Sequence, residues 1–317
     1  MSPVAVGLGF VSICLSEKDC SPAGDVTVKS LERLPDQGAR IARIRRTARR
    51  NLANTGRILW FLKGHGLTCY RFATHLIPLA THPVTEGWAW WEDEELAPLL
   101  GRLGAIIRRE GFRVSTHPPQ LCVLNAPEPA VFAWVRRYTA YHQRLLGAMG
   151  LDDTAKIVLH VGKRLPGGTR AGLDQALRNL ERLPEEVRAR LALENDDRTF
   201  SARETLDLCQ AAGLPMVFDV HHHWCRNDGE DFRELLPAVF ATWRDRPPKV
   251  HLSSPRPGGN GRAHADYVDP AFVAPFLEYA AALGSFDAMV EAKMKDVAAL
   301  RLRRELPHIF AREEPSP

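Results

Sequence analysis

Paired cysteines, lysine and long apolar runs are what this 317-residue sequence has little of. Its six cysteines (14, 20, 69, 122, 209 and 225) show no CxxC spacing. That pattern fits a reduced, cytoplasmic chain better than a disulfide framework, and it offers no structural zinc site. No apolar stretch reaches the length of a membrane span. Met1 to Ser12 lacks a basic n-region and a small-residue cleavage site, so no secretory signal is expected. Only eight lysines are present, so arginine carries most of the positive charge behind a formal net charge of just +4. Hydrophobic residues at 45% and charged residues at 25% exclude disordered and collagen-like chains. Histidine is the abundance that stands against these shortages, with twelve in the chain.

Short β-rich apolar runs alternate with helical patterns. The runs are Val4–Phe10, Leu67–Phe72, Phe112–Thr116, Ile157–His160, Ala189–Glu194, Pro215–Val220, Lys249–Leu252 and Ala288–Glu291. Helical periodicity is expected over Ala39–Lys63, Trp91–Gly111, Pro129–Met149, Thr169–Leu183, Ser201–Ala212, Asp231–Phe240, Pro270–Leu283 and Asp296–Arg304. The acids Glu92 to Glu95 suit the positive end of the second of these helices. Eight strand–helix units are what a (β/α)₈ TIM barrel requires. An open doubly wound sheet would carry a GxGxxG turn early, and none is present. With no linker or repeat, residues 1–317 are expected to form one barrel domain, with its core at about 4–304 and a short polar tail.

Reactive groups in such a barrel gather at the C-terminal strand ends. Every strand after the first finishes with an imidazole, a carboxylate or both: His75 and His82, then His117, His160, Glu194, Asp219 with His221 to His223, His251 with His264, and Glu291. One histidine at a strand end is more often structural than a ligand. Independent structural histidines, however, have no reason to collect at the same end of successive strands. Mixed imidazole and carboxylate donors suit several divalent ions such as Mn²⁺ or Zn²⁺. Clustered ions suit hydrolysis of a phosphodiester. A two-metal sugar isomerase of the xylose isomerase kind is the competing reading; it would need a sugar-sized pocket and no long basic surface.

Arg40, Arg43, Arg45, Arg46, Arg49 and Arg50 crowd the first long helix. They read either as a solvated face or as contacts to a DNA backbone. Gln120 and Leu121 follow a ligand candidate as a polar–apolar tip, of a kind that can enter a base stack or cover the barrel rim. Trp88, Trp90 and Trp91 are expected to pack in the core or at the rim.

These residues resemble the UV damage endonuclease family. The resemblance rests on Leu8-Gly9-Phe10, Asn51 to Phe61 before Gly64-His65-Gly66, His75-Leu76-Ile77-Pro78 with His82-Pro83, and His117-Pro118 with Gln120. It continues through Val158-Leu159-His160, Leu193-Glu194-Asn195-Asp196, Asp219 with His222-His223, and Trp243 before Pro248 to Ser253. Ala263-His264 and Val290-Glu291-Ala292-Lys293 complete it. The order and spacing of the whole set are specific where each motif is weak.

The resemblance implies a barrel related to endonuclease IV that binds up to three divalent ions, commonly Mn²⁺. It implies nicking of double-stranded DNA immediately 5′ of UV photoproducts, leaving a 3′-hydroxyl and a 5′-phosphate. By position, His117, His160, Glu194, Asp219, His222, His251, His264 and Glu291 correspond to metal ligands. Glu194 would bridge two ions as the central catalytic carboxylate, His82 would stand near the scissile phosphate, and Lys249 matches a lysine that can be carboxylated. Phe10, Gln120, Leu121, Arg46 and Arg50 are the candidate DNA contacts. The sequence departs from the family pattern at Leu121 and Phe10, where tyrosine is usual, and at Cys14, where asparagine can occur. A cytoplasmic monomer with no membrane contact and no obligate protein partner is expected. An abasic-site endonuclease of the endonuclease IV type stays open beside this reading.

Overall fold

The structure, a computed structural model, describes residues 4–310. The polar tail expected beyond Arg312 lies outside the described residues. Eight parallel strands close into a barrel in chain order: β1 (Val6–Val11), β2 (Cys69–Arg71), β3 (Arg113–Thr116), β4 (Lys156–His160), β5 (Leu191–Glu194), β6 (Met216–Asp219), β7 (Lys249–Leu252) and β8 (Phe286–Val290). Closure comes from β1 against β8, in register from Val6↔Phe286 to Phe10↔Val290. At Gly9 a Cβ would stand 1.9 Å from the Cys69 carbonyl oxygen, so only glycine lets β1 and β2 approach this closely.

The helices that follow the strands are α1 (Gln37–Gly64), α2 (Ala97–Glu110), α3 (Pro129–Ala148), α4 (Gly168–Glu181), α5 (Ala202–Ala212), α6 (Phe232–Ala241), α7 (Pro270–Leu283) and α8 (Lys295–Glu305). Their ends follow local chemistry. Asp36 caps α1 by accepting from the Ala39 N–H, and Ser201 with Glu204 forms a capping box on α5. Gly213 ends α5 with φ 66°, a left-handed conformation that favours glycine. No helix among the described residues is long and apolar enough to cross a membrane.

Every expected strand is present, while α2 starts later than its sequence pattern indicates. It begins at Ala97, and Glu92 to Glu95 lie ahead of it. Tertiary ion pairs hold these acids outside the helix: Asp93 accepts from Trp88 Nε1 at 3.0 Å and pairs with Arg45 at 2.8 Å, and Glu95 pairs with Arg49 at 2.6 Å. Trp90 is buried and Trp88 and Trp91 half-buried against the core, so these rings pack as expected.

Strand alternation sends one set of side chains to the helices and the other into the barrel. Phe10 belongs to the outward set. It is fully buried between β1 and α1, with its ring 6.2 Å from Phe61 and 5.8 Å from Tyr70 in edge-on contacts. The expectation that Phe10 contacts DNA is therefore corrected: its ring is a core residue that a duplex does not reach. Inward positions form the barrel lining, with Val158, Ala192 and Val217 packed on Trp243. Toward the strand C-termini this lining becomes polar, and that is where the candidate site stands.

Candidate metal centre

Glu194 ends β5 with a 2% exposed side chain, and four strand ends surround it. Its Oε2 lies 3.2 Å from His117 Nε2 after β3 and 3.7 Å from His160 Nε2 at the end of β4. Its Oε1 lies 2.8 Å from His251 Nδ1 of β7 and 3.7 Å from His222 Nδ1 beyond β6. His251 Nδ1 is also 2.9 Å from Glu291 Oε1 after β8. Three donor sets of ion-binding size result: His117–His160–Glu194, Glu194–Asp219–His222 and Glu194–His251–Glu291. Glu194 is common to all three.

Asp219 caps the short helix Val220–Cys225 by accepting from the His222 N–H at 2.7 Å, which brings His222 back toward Glu194. Asn195 ties the β5 and β6 ends together: its side chain donates to the Asp219 carbonyl at 3.0 Å and accepts from the Asp219 N–H at 2.9 Å. Its own carbonyl lies 2.9 Å from His222 Nδ1. A ring whose Nδ1–H donates to a carbonyl presents Nε2 outward, the arrangement that ligating histidines adopt. His117 is placed in the same way by Pro118 O at 2.8 Å, and His264 by Glu291 O at 2.8 Å. His264 stands at the rim, its ring 6.0 Å from that of His222, and it joins none of the three donor sets.

Burial alone would raise the Glu194 carboxyl, but the charges of His251 and His160 and hydrogen bonds from His117 and His251 outweigh it and hold it well below the usual range. Glu291 is likewise held low against its burial, chiefly by Arg71 and then by His251. Burial opposes charge on His222 and His251 as well, yet Asp219 and Glu194 push His222 up to about 9, and Glu194 and Glu291 push His251 up to about 9. His160 goes the other way, lowered by burial that Glu194 only partly offsets. The cluster is thus a concentrated set of anions sharing too few protons.

Two residues that the strand-end reading passed over complete the site. One is Asn195, visible in sequence only as part of the Glu194-Asn195-Asp196 motif. The other is Arg71 at the end of β2, whose Nη1 pairs with Glu291 Oε1. An arginine following Tyr70 in a short strand carries no signal of its own, so sequence reasoning had little chance of finding it.

The remaining candidates fall at different distances from the cluster. Lys249 points into the barrel two residues before His251. It is buried, its Nζ lies 3.8 Å from Asp287 Oδ2, and it makes no hydrogen bond among the described residues. His82 is exposed, accepts from the Val84 N–H at 3.1 Å, and lines a hollow of about 400 Å³ with His75, Trp134, Arg137 and Tyr138. A larger hollow of about 760 Å³ opens beside the cluster, and His160, His222, Gln120 and Leu121 are among the residues that line it. Leu121 is 77% exposed. On α1, Arg45 and Arg49 are neutralised by Asp93 and Glu95, and Arg57 by Glu17. Arg46 and Arg50 are exposed and form no ion pair among the described residues.

The match to the UV-endonuclease UvdE family covers residues 6–316. The chain belongs to the UV damage endonuclease family. A UV DNA damage endonuclease of Bacillus cereus (strain 03BB102) is 37% identical over 304 residues, spanning 95% of this chain and 94% of its own. One from Bacillus mycoides (strain KBAB4) is 38% identical over 307 residues, spanning 96% and 95%. The solved structure of SacUVDE superposes with a TM-score of 0.84 at 30% identity, covering 96% of this chain and 98% of that one. An L-ribulose 3-epimerase also superposes, at TM-score 0.52 and 14% identity, and shares the barrel fold alone. Family membership makes the chain an endonuclease, and the sugar isomerase reading falls away.

Proposed function

We propose that this chain is a metal-dependent endonuclease that nicks duplex DNA immediately 5′ of UV photoproducts, leaving a 3′-hydroxyl and a 5′-phosphate. The observation that carries the proposal is the sharing of Glu194 by three donor sets beside a hollow edged by Gln120 and Leu121.

The residues fit divalent ions on their own chemistry. His117 Nε2, His160 Nε2 and His251 Nδ1 converge on the Glu194 carboxylate, and Asp219 Oδ2 is buried without a hydrogen-bond partner among the described residues. Neutral imidazoles with carboxylates are the donors that Mn²⁺ accepts. His117, His160, Glu194, Asp219, His222, His251 and Glu291 would hold up to three such ions, with His264 approaching from the rim. Bound divalent ions supply Lewis-acid stabilisation of phosphate charge and lower the pKa of water. The chain's own part is to keep Glu194 and Glu291 ionised and to orient the rings through Asn195, Pro118 and the Glu291 carbonyl. His82 and Arg137 face one hollow and offer donors to a phosphate. In the hydrolysis, water adds to phosphorus and the bond to O3′ breaks, which yields the proposed ends.

A photoproduct is already poorly stacked, so turning it out of the duplex takes less free energy than turning out intact bases. The 760 Å³ hollow has the volume of a small-molecule site and receives the extruded pyrimidines in this reading. Gln120 and Leu121 enter the gap left behind, and Arg46 and Arg50 contact phosphates. Lys249 is read as a carbamate, since its amine is buried without a hydrogen bond beneath the cluster. The enzyme acts as a monomer without an obligate protein partner. Its six free thiols suit a reducing cytoplasm.

The test is to incubate the protein and Mn²⁺ with an end-labelled UV-irradiated duplex, an unirradiated control and an abasic duplex. A nick 5′ of the photoproduct with a polymerase-extendable 3′ end is expected. No cleavage above the unirradiated control overturns the proposal, and cleavage of the abasic duplex alone replaces it with the abasic-site reading.

A further inference from the structure

Trp134 sits one turn into α3 with 49% of its surface exposed, although tryptophan is usually well covered. It lines both hollows at the barrel mouth, the one of about 760 Å³ and the one of about 400 Å³, and so forms part of the wall between them. Ala130 and Val131, four and three residues earlier on the same helix face, line the larger hollow with it. Four residues later, Tyr138 backs the indole, its ring centroid 5.6 Å away at 41°. Apart from the ligand candidates His160 and His222, Trp134 contributes the only ring among the residues lining that hollow. Leu121, which also lines this hollow, is aliphatic; it fills space but has no π-face.

We infer that Trp134 is the stacking platform for an extruded damaged base, a specificity-determining residue that supplies the aromatic surface Leu121 lacks. The inference rests on the proposed nicking activity. Base–aromatic stacking is tolerant of sequence because every base has a π-face, and the neighbouring Tyr138 ring limits how far the indole can swing. An undamaged duplex keeps its bases stacked and does not use this surface. Trp134 therefore separates damaged from undamaged DNA without touching the scissile phosphate.

Two variants isolate the ring. Trp134→Leu keeps apolar cover on α3 and removes the π-face; Trp134→Phe keeps a smaller ring. With the Mn²⁺-loaded enzyme, the KM for nicking an irradiated duplex is expected to rise about tenfold in Trp134→Leu, the loss of one base–aromatic stack, with kcat held. Trp134→Phe is expected to recover most of the difference. The Kd for the same duplex without irradiation is expected to stay at the wild-type value in both. A wild-type KM in Trp134→Leu overturns the inference, and so does equal weakening on irradiated and undamaged DNA. If the wild-type enzyme itself fails to nick irradiated DNA, the functional reading has failed rather than the stacking role.

Discussion

At the N-terminal end of the barrel, Arg190 donates to the carbonyls of Leu151, Asp152 and Ala155, Lys156 donates to the Ala189 carbonyl at 2.9 Å, and Arg113 pairs with Asp287. At the C-terminal end, His160 Nδ1, His251 Nε2 and Asp219 Oδ2 have no hydrogen-bond partner among the described residues, and two carboxylates crowd one imidazole nitrogen. Both regions bury charge in the same barrel. At the floor, Arg190, Lys156 and Arg113 each find partners within the folded chain. The mouth gathers imidazoles and carboxylates into three groups able to hold an ion. Stability and function are thereby separated along the barrel axis, as expected for this architecture.

The most severe way to break that contrast is Glu194→Gln. The amide cannot serve three donor sets at once, and nicking is expected to fall on the order of 10³-fold or more in kcat. Bound metal, measured by elemental analysis, should fall with it. Full metal content with normal nicking would move the centre elsewhere. Asp287→Asn is the corresponding cut at the floor. Breaking a buried pair by removing one partner costs about 3 kcal/mol, because Arg113 is then left without its anion. Denaturant unfolding should show that loss.

The two ends also differ in how legible they were in sequence. The mouth could be read because strand ends carry a regular signature: an apolar run, then His160, Glu194, Asp219 or Glu291. The barrel itself followed from eight such runs. What the sequence hid depends on partners far along the chain. Asp93 looked like a helix-dipole acid until its pairing with Arg45, 48 residues away, placed it ahead of α2. The same ion pairs remove Arg45 and Arg49 from the basic stripe and leave Arg46 and Arg50 exposed. Phe10 was misread because a single strand does not reveal which of its faces meets the helices; pairing with β2 and β8 decides that. Arg71 and Asn195 act through Glu291 and Asp219, and such indirect roles have no spacing to find.

Lys249 is where the contrast is sharpest, because its sequence position belongs to the mouth and its nearest carboxylate, Asp287, to the floor. Under the proposed function it serves the mouth, and Lys249→Met is expected to lower nicking about 10- to 100-fold with weaker metal binding, the range for groups that support ligands. Native mass spectrometry in bicarbonate should show one added CO₂ in the wild type and none in the variant. A variant that nicks normally but melts early would assign Lys249 to the floor.

His142 on α3 offers the smallest and most specific test, since it is a buried histidine that belongs to neither end. Neither ring nitrogen has a hydrogen-bond partner among the described residues, and burial, aided by the charges of His75 and His117, lowers its pKa to about 3. The mouth histidines sit among carboxylates; this one is simply kept neutral. In the unfolded chain an ordinary histidine takes up a proton near pH 6.5, so the unfolded state gains protons that the folded state refuses. The stability that neutral His142 permits is complete above pH 6.5 and is lost as the pH falls from there toward 3. Between pH 8 and pH 6 the loss attributable to this residue is about 0.8 kcal/mol. His142→Leu should remove that part of the acid dependence from denaturant unfolding of the metal-free protein. An unchanged slope between pH 8 and pH 6 would show that His142 takes up its proton in the folded chain as readily as in the unfolded one.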